Sequence, residues 1–599
     1  MRQGFEITRY EEGKYPLGAV ATGKGVHFSV AKDCGECALL LYRKGAKTPV
    51  TRLVFPQTLR MGDVWRMEVA GNLKGLSYTY EADGEEFADP YGEVFFGHEH
   101  WGLEENASVV ARAAIDAEET FDWNGDQRPN LSYEESIFYQ IHVRGLTKHA
   151  SSGVEPKLRG TFRAVQEKIA YFQELGVTTL KMQPPFEFQE VTEYGKLNYW
   201  GYRSGLRMAP KASYASEKDA AREFQELVRA LHQAKMELVV ELYFDGRESV
   251  DYVLQVARMW AGRFHVDGIH LVGYAPVDAL ASDPYLSQVK ILADHVCDAR
   301  TGKVRRMAEC TDSFQLAMRG FLKGDGGMLS YASEMIRRNP AGHGVLNFMA
   351  NAGGFTLMDM VSYNEKHNED NGEENQDGTD YNQSWNCGVE GATRKKKIVA
   401  LRKKQLKNAI LMLFLSQGTP MLLAGDEFGQ SKRGNNNSYC QDNEISWVNW
   451  KLMESNEELF HFVKAAIAFR KNHSVFHMEK EPAMMDWRSC GLPDLSFHGT
   501  KAWFADFDAS GHMLGVLYCG EYGKRADGTP DDYFYVGYNM HWIPQELALP
   551  TLPAGKKWHL VLDTAEEHAI FAPEGEEKLL LDQKHYTANE RSVVIAVGR

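Results

Sequence analysis

Three carboxylic acids stand in or just after apolar runs in the middle of the chain: Glu241, Asp245 and Asp294. Neighbouring carboxyl groups serve as nucleophile, general acid or general base in catalysis. The same side chains also anchor structure or bind ligand hydroxyl groups. The sequence favours a structural or ligand-binding role for these three over a catalytic one.

Aromatic residues make up 12% of the chain, which suits a protein that handles flat apolar faces such as sugar rings. Tyr199, Trp200 and Tyr202 lie close together after a predicted strand, and they either stack on sugar rings at a cleft or pack its rim. Trp65 and Tyr78 are a second set of candidate sugar contacts, although a core position is favoured for both.

The cysteines are spread along the chain, at 34, 37, 297, 310, 387, 440, 490 and 519. Only Cys34 and Cys37 form a C-x-x-C pair, and a zinc site needs two further ligands at suitable spacing. We therefore expect ordinary reduced thiols, no metal or cofactor, and a cytoplasmic protein.

The charge balance excludes several partners. With 67 basic and 82 acidic residues among 599, the formal net charge is −15. A nucleic-acid binder needs a basic face to replace phosphate counterions, and an anionic membrane surface attracts basic segments, so neither partner is expected. No apolar run reaches the roughly 20 residues of a membrane-spanning helix, and the N-terminus contains no apolar signal core.

The hydrophobic pattern changes twice along the chain. Residues 1–105 contain short β-rich runs separated by turns, which predicts an N-terminal β-sandwich, and residues 106–134 are predicted to be a linker. Residues 135–474 alternate buried strands with helices, and residues 475–599 are β-rich again. The predicted fold class is therefore α/β, with a central (β/α)8 TIM barrel between an N-terminal β-sandwich and a C-terminal all-β domain.

Seven barrel strands are visible as nearly continuous apolar runs, typical of parallel strands buried on both faces. They are residues 136–143, 178–184, 237–244, 268–274, 289–294, 345–350 and 420–426. An eight-stranded barrel leaves one strand unlocated. Active sites of such barrels lie at the carboxyl ends of the strands, so the residues there are the ones to inspect.

Four strings in the chain are long and specific. They are IHVRGLTKHASSGV at 141–154, NYWGY at 198–202, the acidic string at 361–391 and GTPMLLAGDEFGQSKRGNNNSYCQDNEISWVNW at 418–450. These strings resemble the isoamylase and glycogen-debranching branch of the α-amylase superfamily of glycoside hydrolases, and the N-terminal stretch is similar to the starch-binding sandwich of those enzymes. The resemblance covers nearly the whole chain and implies retaining hydrolysis of α-glucosidic bonds.

The positions that carry catalysis in that family differ here. The fourth-strand pattern V-D-G-F-R-F-D aligns with residues 266–272, so His270 stands in place of arginine and Val272 in place of the nucleophilic aspartate. Residues two apart in a strand face the same side, so both are expected to face the site. Asp294 replaces the acid/base glutamate and is one methylene shorter, which impairs proton transfer.

Further positions follow from the same resemblance. Ala352 and Gly353 replace the histidine–aspartate pair of the seventh strand, and Gly246 stands where a histidine of the third strand is expected. Phe355 is a candidate substrate contact. Glu309 lies in a string that superficially resembles the acid signature, but its surroundings fit the family's next segment better.

Three features have plain structural interpretations. Asp267 begins a strand and is expected to hydrogen-bond the backbone. His270 is expected to be a satisfied buried histidine rather than a ligand. The acidic, asparagine-rich loop 364–382 is expected to be a solvated face.

The sequence thus predicts a debranching-enzyme homologue that has lost hydrolysis and keeps α-glucan binding or an assembly role. The expected partners are an α-glucan of the glycogen or starch type and, for assembly, an active debranching enzyme or a second copy of the chain. The alternative is an active α-1,6-glucosidase with relocated carboxylates, whose nucleophile would be Glu241 or Asp245, on the wrong strand for the family geometry. A third interpretation is a metabolic protein whose cleft binds a different small molecule.

Overall fold

The computed structural model describes residues 5–9, 16–115, 121–192, 195–217, 219–296, 305–508 and 510–599. Cys297 lies outside the described residues. Among the helices of those ranges, none combines the length and the apolar character that crossing a membrane requires.

The N-terminal domain is a sandwich of two antiparallel sheets. The first sheet contains, in spatial order, Glu6–Thr8, Val64–Ala70, Gly25–Ala31 and Gly18–Ala21. The second contains Thr51–Val54, Cys37–Arg43, Leu76–Ala82, Arg112–Ala114 and Phe95–Phe96, with Glu85–Phe87 paired to Leu76–Ala82. The inner faces of the two sheets meet in one apolar cluster.

The predicted linker 106–134 begins too early. Arg112–Ala114 forms a strand that pairs with Leu76–Ala82 and with Phe95–Phe96, so the sandwich extends to residue 114. A three-residue strand is too short to show a periodic apolar pattern, and the sequence therefore did not reveal it. At the other end of the predicted linker, Tyr133 already belongs to the apolar interior of the barrel.

The central domain is a closed barrel of eight parallel strands, which confirms the predicted fold class. The strands are β1 (Phe138–Ile141), β2 (Thr179–Met182), β3 (Glu237–Asp245), β4 (Gly268–Tyr274), β5 (Lys290–Ala293), β6 (Met307–Glu309), β7 (Gly344–Phe348) and β8 (Thr419–Leu423). β8 pairs with β1 and closes the ring. The strand that the sequence left unlocated is β6, whose three residues are too few for a continuous apolar run.

Helices surround the barrel and return the chain to the start of the next strand. The longer ones are Ala220–Gln233, Val250–Gly262, Ser313–Lys323, Leu329–Arg337, Lys396–Phe414 and Glu457–Asn472. The shorter ones are Val143–Thr147, Phe162–Gln166, Ile169–Leu175, Val277–Ser282, Leu357–Met360 and Lys451–Ser455. A side-chain cap fixes the start of the first long helix, where Asp219 accepts a hydrogen bond from the backbone N–H of Arg222.

The barrel interior has an apolar layer with a polar layer above it, towards the carboxyl ends of the strands. The apolar residues are Tyr133, Phe138, Val239, Leu292, Ala308, Leu346, Phe348 and Met421. The polar layer comes from the first four strands, where Gln140 is in register with Lys181 and Glu241 with His270. Glu241 lies two residues beyond Val239 and therefore points into the barrel with it.

The chain ends in a β-rich domain that packs directly on the barrel. Its larger sheet has the order Leu495–His498, Met513–Tyr518, Tyr533–Asn539, Ser592–Gly598, Trp558–Asp563 and Lys578–Leu579. A second sheet pairs Gln545–Ala548 with His585–Ala588. Tyr518 and Phe534 join the core cluster of the barrel, and the Tyr518 hydroxyl donates to the carbonyl of Leu415 over 2.7 Å.

Candidate ligand site at the barrel mouth

A cavity of about 410 Å³ opens at the carboxyl ends of the barrel strands, where barrels of this kind bind their ligands. Phe348 and Met421 of the apolar layer form its floor, and its walls carry polar residues from β1 to β7. Candidate residues from the sequence that line the cavity are Tyr202, Glu241, His270, Val272, Asp294, Ala352 and Gly353. The structure therefore brings together residues that lie up to about 150 positions apart in the chain.

Glu241 is a carboxylate whose oxygens are already occupied. Its Oε1 accepts hydrogen bonds from Gln140 Nε2, over 2.9 Å, and from Lys181 Nζ, while the Tyr202 hydroxyl donates to its Oε2. Burial by itself raises the pKa of Glu241, but the charge of Lys181 and the neighbouring His270 outweigh it, and the pKa lies well below its ordinary value. A carboxylate stabilised in this way is a poor nucleophile, so Glu241 anchors the polar layer.

β4 presents both His270 and Val272 to the cavity. Val272 is half-buried, and its isopropyl group offers no lone pair. His270 is 8% exposed, its Nδ1 lies 3.8 Å from Glu241 Oε1, and neither ring nitrogen has a hydrogen-bond partner within the described part of the chain. The expectation of a satisfied histidine is therefore wrong.

The surroundings of His270 act on its charge in opposite directions. Burial lowers its pKa, and the positive charge of Lys181 lowers it further. Cys310 and Glu241 outweigh both, so the pKa of His270 lies above its ordinary value. The imidazole therefore keeps a proton to higher pH than a free histidine does.

Two carboxylates face the open part of the cavity. Asp294 follows β5, and Asp312 follows β6, a strand that the sequence did not reveal; both side chains are exposed. Partial burial raises the pKa of Asp312. Arg319 and Asn351 oppose this rise, whereas the negative charge of Asp294 adds to it. The amide of Asn351 donates to Asp312 over 3.3 Å. The two acids thus interact across the cavity wall.

The loop after β7 is fixed through its backbone. The N–H of Ala352 donates to Gln140 Oε1 over 3.0 Å, and Lys432 Nζ donates to the carbonyl of Ala352 over 2.7 Å. Burial lowers the pKa of Lys432 to about 8, although Asp359 and Asp426 oppose this shift. Ala352 itself supplies no side-chain group that holds a ligand hydroxyl.

The aromatic string at 198–202 lies beside the mouth, between the two strands of a hairpin. Tyr199 is buried, and its ring stacks on His142 with the centroids 4.0 Å apart, so it packs the rim. Trp200 is half-buried and lines a small cavity of about 50 Å³ that shares wall residues with the mouth. Of the three aromatic residues, Trp200 and Tyr202 therefore remain available to a ligand.

Asp245 and Gly246, at the end of β3, are not among the residues that line the cavity. Asp245 accepts a hydrogen bond from the Ser204 hydroxyl over 3.1 Å and pairs with Arg247 over 3.0 Å. Gly246 has a φ of 87°, in the left-handed region that favours glycine. Asp245 is thus held at the surface, which corrects its assignment as a substrate contact.

Three aromatic candidates are core residues, which corrects their assignment as sugar contacts. Phe355 and Trp65 are 0% exposed, and Tyr78 is 1% exposed. Trp65 Nε1 donates to the carbonyl of Lys32 over 3.0 Å, and the Tyr78 hydroxyl donates to Asp89 over 2.6 Å. A ring without an exposed face cannot stack on a ligand. For Trp65 and Tyr78, the favoured core position is confirmed.

Glu309 and Asp267 have structural roles. Glu309 ends β6 and pairs with Arg338 over 2.6 Å, and it is not among the residues that line the mouth. Asp267 accepts hydrogen bonds from the backbone N–H of Leu238, over 2.8 Å, and from His232 Nε2, over 3.0 Å. The predicted backbone-bonding role of Asp267 is confirmed.

The loop 364–382 is not a solvated face throughout. Asn368 and Asn371 are buried, and they bond across to Asn436 and Asn435, each over 2.9 Å. The carboxylates of the loop face solvent more than these amides do, because an amide is buried at lower cost than a charge. The loop therefore braces the segment after β8, whose Tyr439 carbonyl accepts the backbone N–H of Tyr199 over 2.8 Å.

The cysteines of the described residues, Cys34 and Cys37 included, are free thiols. Across these same residues, no group of three or more His, Cys, Asp and Glu side chains is arranged to hold a metal ion. Cys310 lines the mouth cavity. The sequence did not single it out, because it follows the strand that was not visible.

No protein-family model matches the chain, but individual known proteins are similar to it over most of its length. The glycogen operon protein GlgX homolog of Mycobacterium tuberculosis is 29% identical over an alignment of 680 residues, which covers 92% of each chain. The glycogen debranching enzyme of Enterobacter sp. (strain 638) is 29% identical over 634 residues, covering 85% of this chain and 94% of its own. Isoamylase 3, chloroplastic, of Oryza sativa subsp. japonica is 28% identical over 689 residues, covering 95% of this chain and 85% of its own.

The fold of all three domains is shared with solved structures. Pullulanase from Paenibacillus barengoltzii, in complex with maltohexaose and α-cyclodextrin, matches with a TM-score of 0.70 and 18% identity, covering 98% of this chain and 95% of that chain. At this identity the likeness concerns the fold alone. The side chains at the mouth therefore have to be interpreted from their own chemistry.

Proposed function

We propose that this chain binds α-glucan at the barrel mouth and does not hydrolyse it. One observation carries the proposal: β4 turns His270 and Val272 into the cavity, at the strand where the family resemblance implies an arginine and a nucleophilic aspartate. A valine cannot attack an anomeric carbon. Losing a single group of a catalytic unit already lowers the rate by on the order of 10⁴–10⁶.

The neighbouring residues support the same proposal. Glu241 is neutralised by Lys181 and occupied by donors, Asp294 is one methylene shorter than the implied acid, and Ala352 and Gly353 supply no side-chain hydrogen bonds. The polar walls and the accessible ring of Trp200 still suit a ligand rich in hydroxyl groups. We expect weak binding, roughly −4 to −8 kcal/mol, or millimolar to micromolar dissociation constants.

The relatives named after the glycogen operon and after glycogen debranching favour a glucan over another small molecule as the ligand of the mouth. In this proposal the chain acts as a glucan-binding or assembly subunit, beside an active debranching enzyme or as a self-associated complex. We place this subunit in the cytoplasm, because free, reduced thiols are typical of cytoplasmic proteins.

A second candidate function is an active glucosidase that uses Asp294 and Asp312. Both side chains line the mouth cavity and are exposed on its open side, whereas Glu241 and Asp245 are both occupied elsewhere. The raised pKa of Asp312 is the property that a general acid needs. In this candidate the nucleophile comes from Asp294 or Asp312, instead of Glu241 or Asp245 as the sequence suggested.

Two assays on the purified chain separate these functions. A reducing-end assay on amylopectin and pullulan measures hydrolysis, and affinity electrophoresis in amylopectin gels measures binding. We expect retardation without release of reducing ends. Reducing ends that disappear in Asp312→Asn and in Asp294→Asn would establish the second candidate, and a chain with neither retardation nor release would overturn both.

A further inference from the structure

The mouth cavity contains a thiol that glucan binding does not use. Cys310 follows β6 directly, is 9% exposed, and lines the cavity together with His270. It borders the apolar floor formed by Phe348 and Met421. A small molecule that enters the mouth therefore reaches a free cysteine at the end of the barrel strands.

His270 is the second observation that points to chemistry here. Its imidazole is buried, lines the same cavity, and has no hydrogen-bond partner at either nitrogen within the described residues. A buried polar group without a partner costs free energy unless a ligand or a reaction uses it. Glu241 Oε1 lies 3.8 Å from Nδ1, too far for a hydrogen bond but close enough to stabilise a positive charge on the imidazole.

Several charged groups face this imidazole. Lys181 and Glu241 flank it from β2 and β3, Cys310 faces it from β6, and Asp294 and Asp312 stand on the open side of the same cavity. Burial and Lys181 lower the pKa of His270, but Cys310 and Glu241 outweigh them, so this imidazole is a stronger base than that of a free histidine. A neutral imidazole that takes the proton of a neighbouring thiol leaves the thiolate, which is the nucleophilic form.

We propose that Cys310 is a nucleophilic thiol that forms a mixed disulfide with low-molecular-weight disulfides. His270 is its proton acceptor, and the nearby Glu241 carboxylate stabilises the imidazolium that results. His270 takes the thiol proton, and Cys310 Sγ bonds to one sulfur of the disulfide while the disulfide bond breaks. The second sulfur leaves as a thiolate and takes the proton from His270. A free thiol reverses the reaction.

The adduct occupies the barrel mouth. A substituent on Cys310 fills part of a cavity of about 410 Å³, so it competes with a glucan for the same space. This consequence rests on the proposed glucan binding, whereas the thiol chemistry does not. The oxidation state of small thiols would then control whether the mouth accepts a glucan.

The test is the reaction of the full chain with glutathione disulfide at about pH 7, followed by peptide mass mapping of each cysteine. Cys440 is the internal control, because it is half-buried and burial raises its pKa. We expect Cys310 to be modified at least about tenfold faster than Cys440, in keeping with activation by a neighbouring base. Modification of Cys310 at the rate of Cys440, or none, overturns the proposal.

The variant His270→Gln removes the proton acceptor and keeps a polar side chain of similar length. We expect it to slow modification of Cys310 by about tenfold or more and to leave Cys440 unchanged. An unchanged Cys310 rate in folded His270→Gln overturns the role of the imidazole. If this variant does not fold, the ratio of the two rates in the unaltered chain still decides the question.

Adding maltohexaose to the reaction with glutathione disulfide distinguishes the thiol proposal from the proposed glucan binding. Protection of Cys310 by maltohexaose supports both. Fast modification without protection keeps the thiol proposal and removes glucan from the mouth. If the chain is retarded in glucan gels but Cys310 is modified no faster than Cys440, glucan binding stands and the thiol proposal is overturned.

Discussion

Lys181 and Glu241 form a salt bridge that is almost wholly enclosed at the barrel mouth, with their side chains 3% and 1% exposed. Both lie in the polar layer above the apolar interior, Lys181 on β2 and Glu241 on β3, where it is in register with His270 of β4. A buried ion pair holds its geometry only while both partners are present, since a single buried charge is costly. This pair therefore holds the polar layer of the site in place, and the loss of either partner should destabilise the chain.

Glu241→Gln is expected to lower the free energy of unfolding by about 3–5 kcal/mol, because Lys181 would remain buried without its anion. Replacing both, as Lys181→Met with Glu241→Gln, is expected to cost less than the two single variants Lys181→Met and Glu241→Gln combined, since no charge is left unpaired. Urea unfolding followed by tryptophan fluorescence measures both. A double variant that loses as much as the two single variants combined would show that the pair does not interact.

His232 gives a pH dependence of stability. It bonds to Asp126 over 2.8 Å and to Asp267 over 3.0 Å; burial lowers its pKa, but Asp267 and Asp126 raise it above the ordinary value. A histidine whose pKa is raised by folding contributes its full stabilisation at pH values below its ordinary pKa of about 6.5. This stabilisation is lost as the pH rises through the pKa of the folded state.

His232→Gln should therefore destabilise the chain more at about pH 6 than at about pH 9. Exposed His461, which lies 3.3 Å from Glu457, provides the control, and His461→Gln should change stability by less than about 0.5 kcal/mol at both pH values. If the loss of stability in His232→Gln were as independent of pH as that in His461→Gln, the assignment of a protonated His232 would be contradicted.

Trp200 and Trp65 should separate binding from folding. Trp200→Ala is expected to weaken retardation in amylopectin gels by roughly tenfold, which corresponds to about 1.4 kcal/mol of ring contact. Trp65→Ala should leave the retardation of the folded protein unchanged but lower stability by about 3–5 kcal/mol, because it empties a core position. Loss of glucan affinity in stable Trp65→Ala would restore the N-terminal domain as a binding site.

Restoring the nucleophile alone should not restore hydrolysis. Val272→Asp places a carboxylate at the end of β4, beside a histidine where an arginine is implied, and Asp294 is still short. Groups that act as a unit are strongly non-additive, so one repaired member recovers little. The half-buried charge also needs a partner, and we expect a melting temperature at or below that of the parent. Reducing ends released from pullulan by Val272→Asp would show that the remaining site is functional.

The sequence by itself determined the three-domain order, seven of the eight barrel strands and the residues that β4 turns into the mouth. Each of these rests on local information: apolar runs mark strands buried on both faces, and the period of two assigns His270 and Val272 to one side. Asp267 was predictable for the same reason, because a carboxylate at a strand start has backbone donors close by.

Only the tertiary structure decided what surrounds those residues. β6 is three residues long, and a run that short carries no periodicity, so Cys310 and Asp312 were not expected at the mouth. Whether Glu241 is free or occupied depends on Lys181 and Tyr202, which approach from other strands and loops. Burial of Phe355 and the lack of partners at His270 likewise arise from contacts between segments far apart in the chain, which no local pattern encodes.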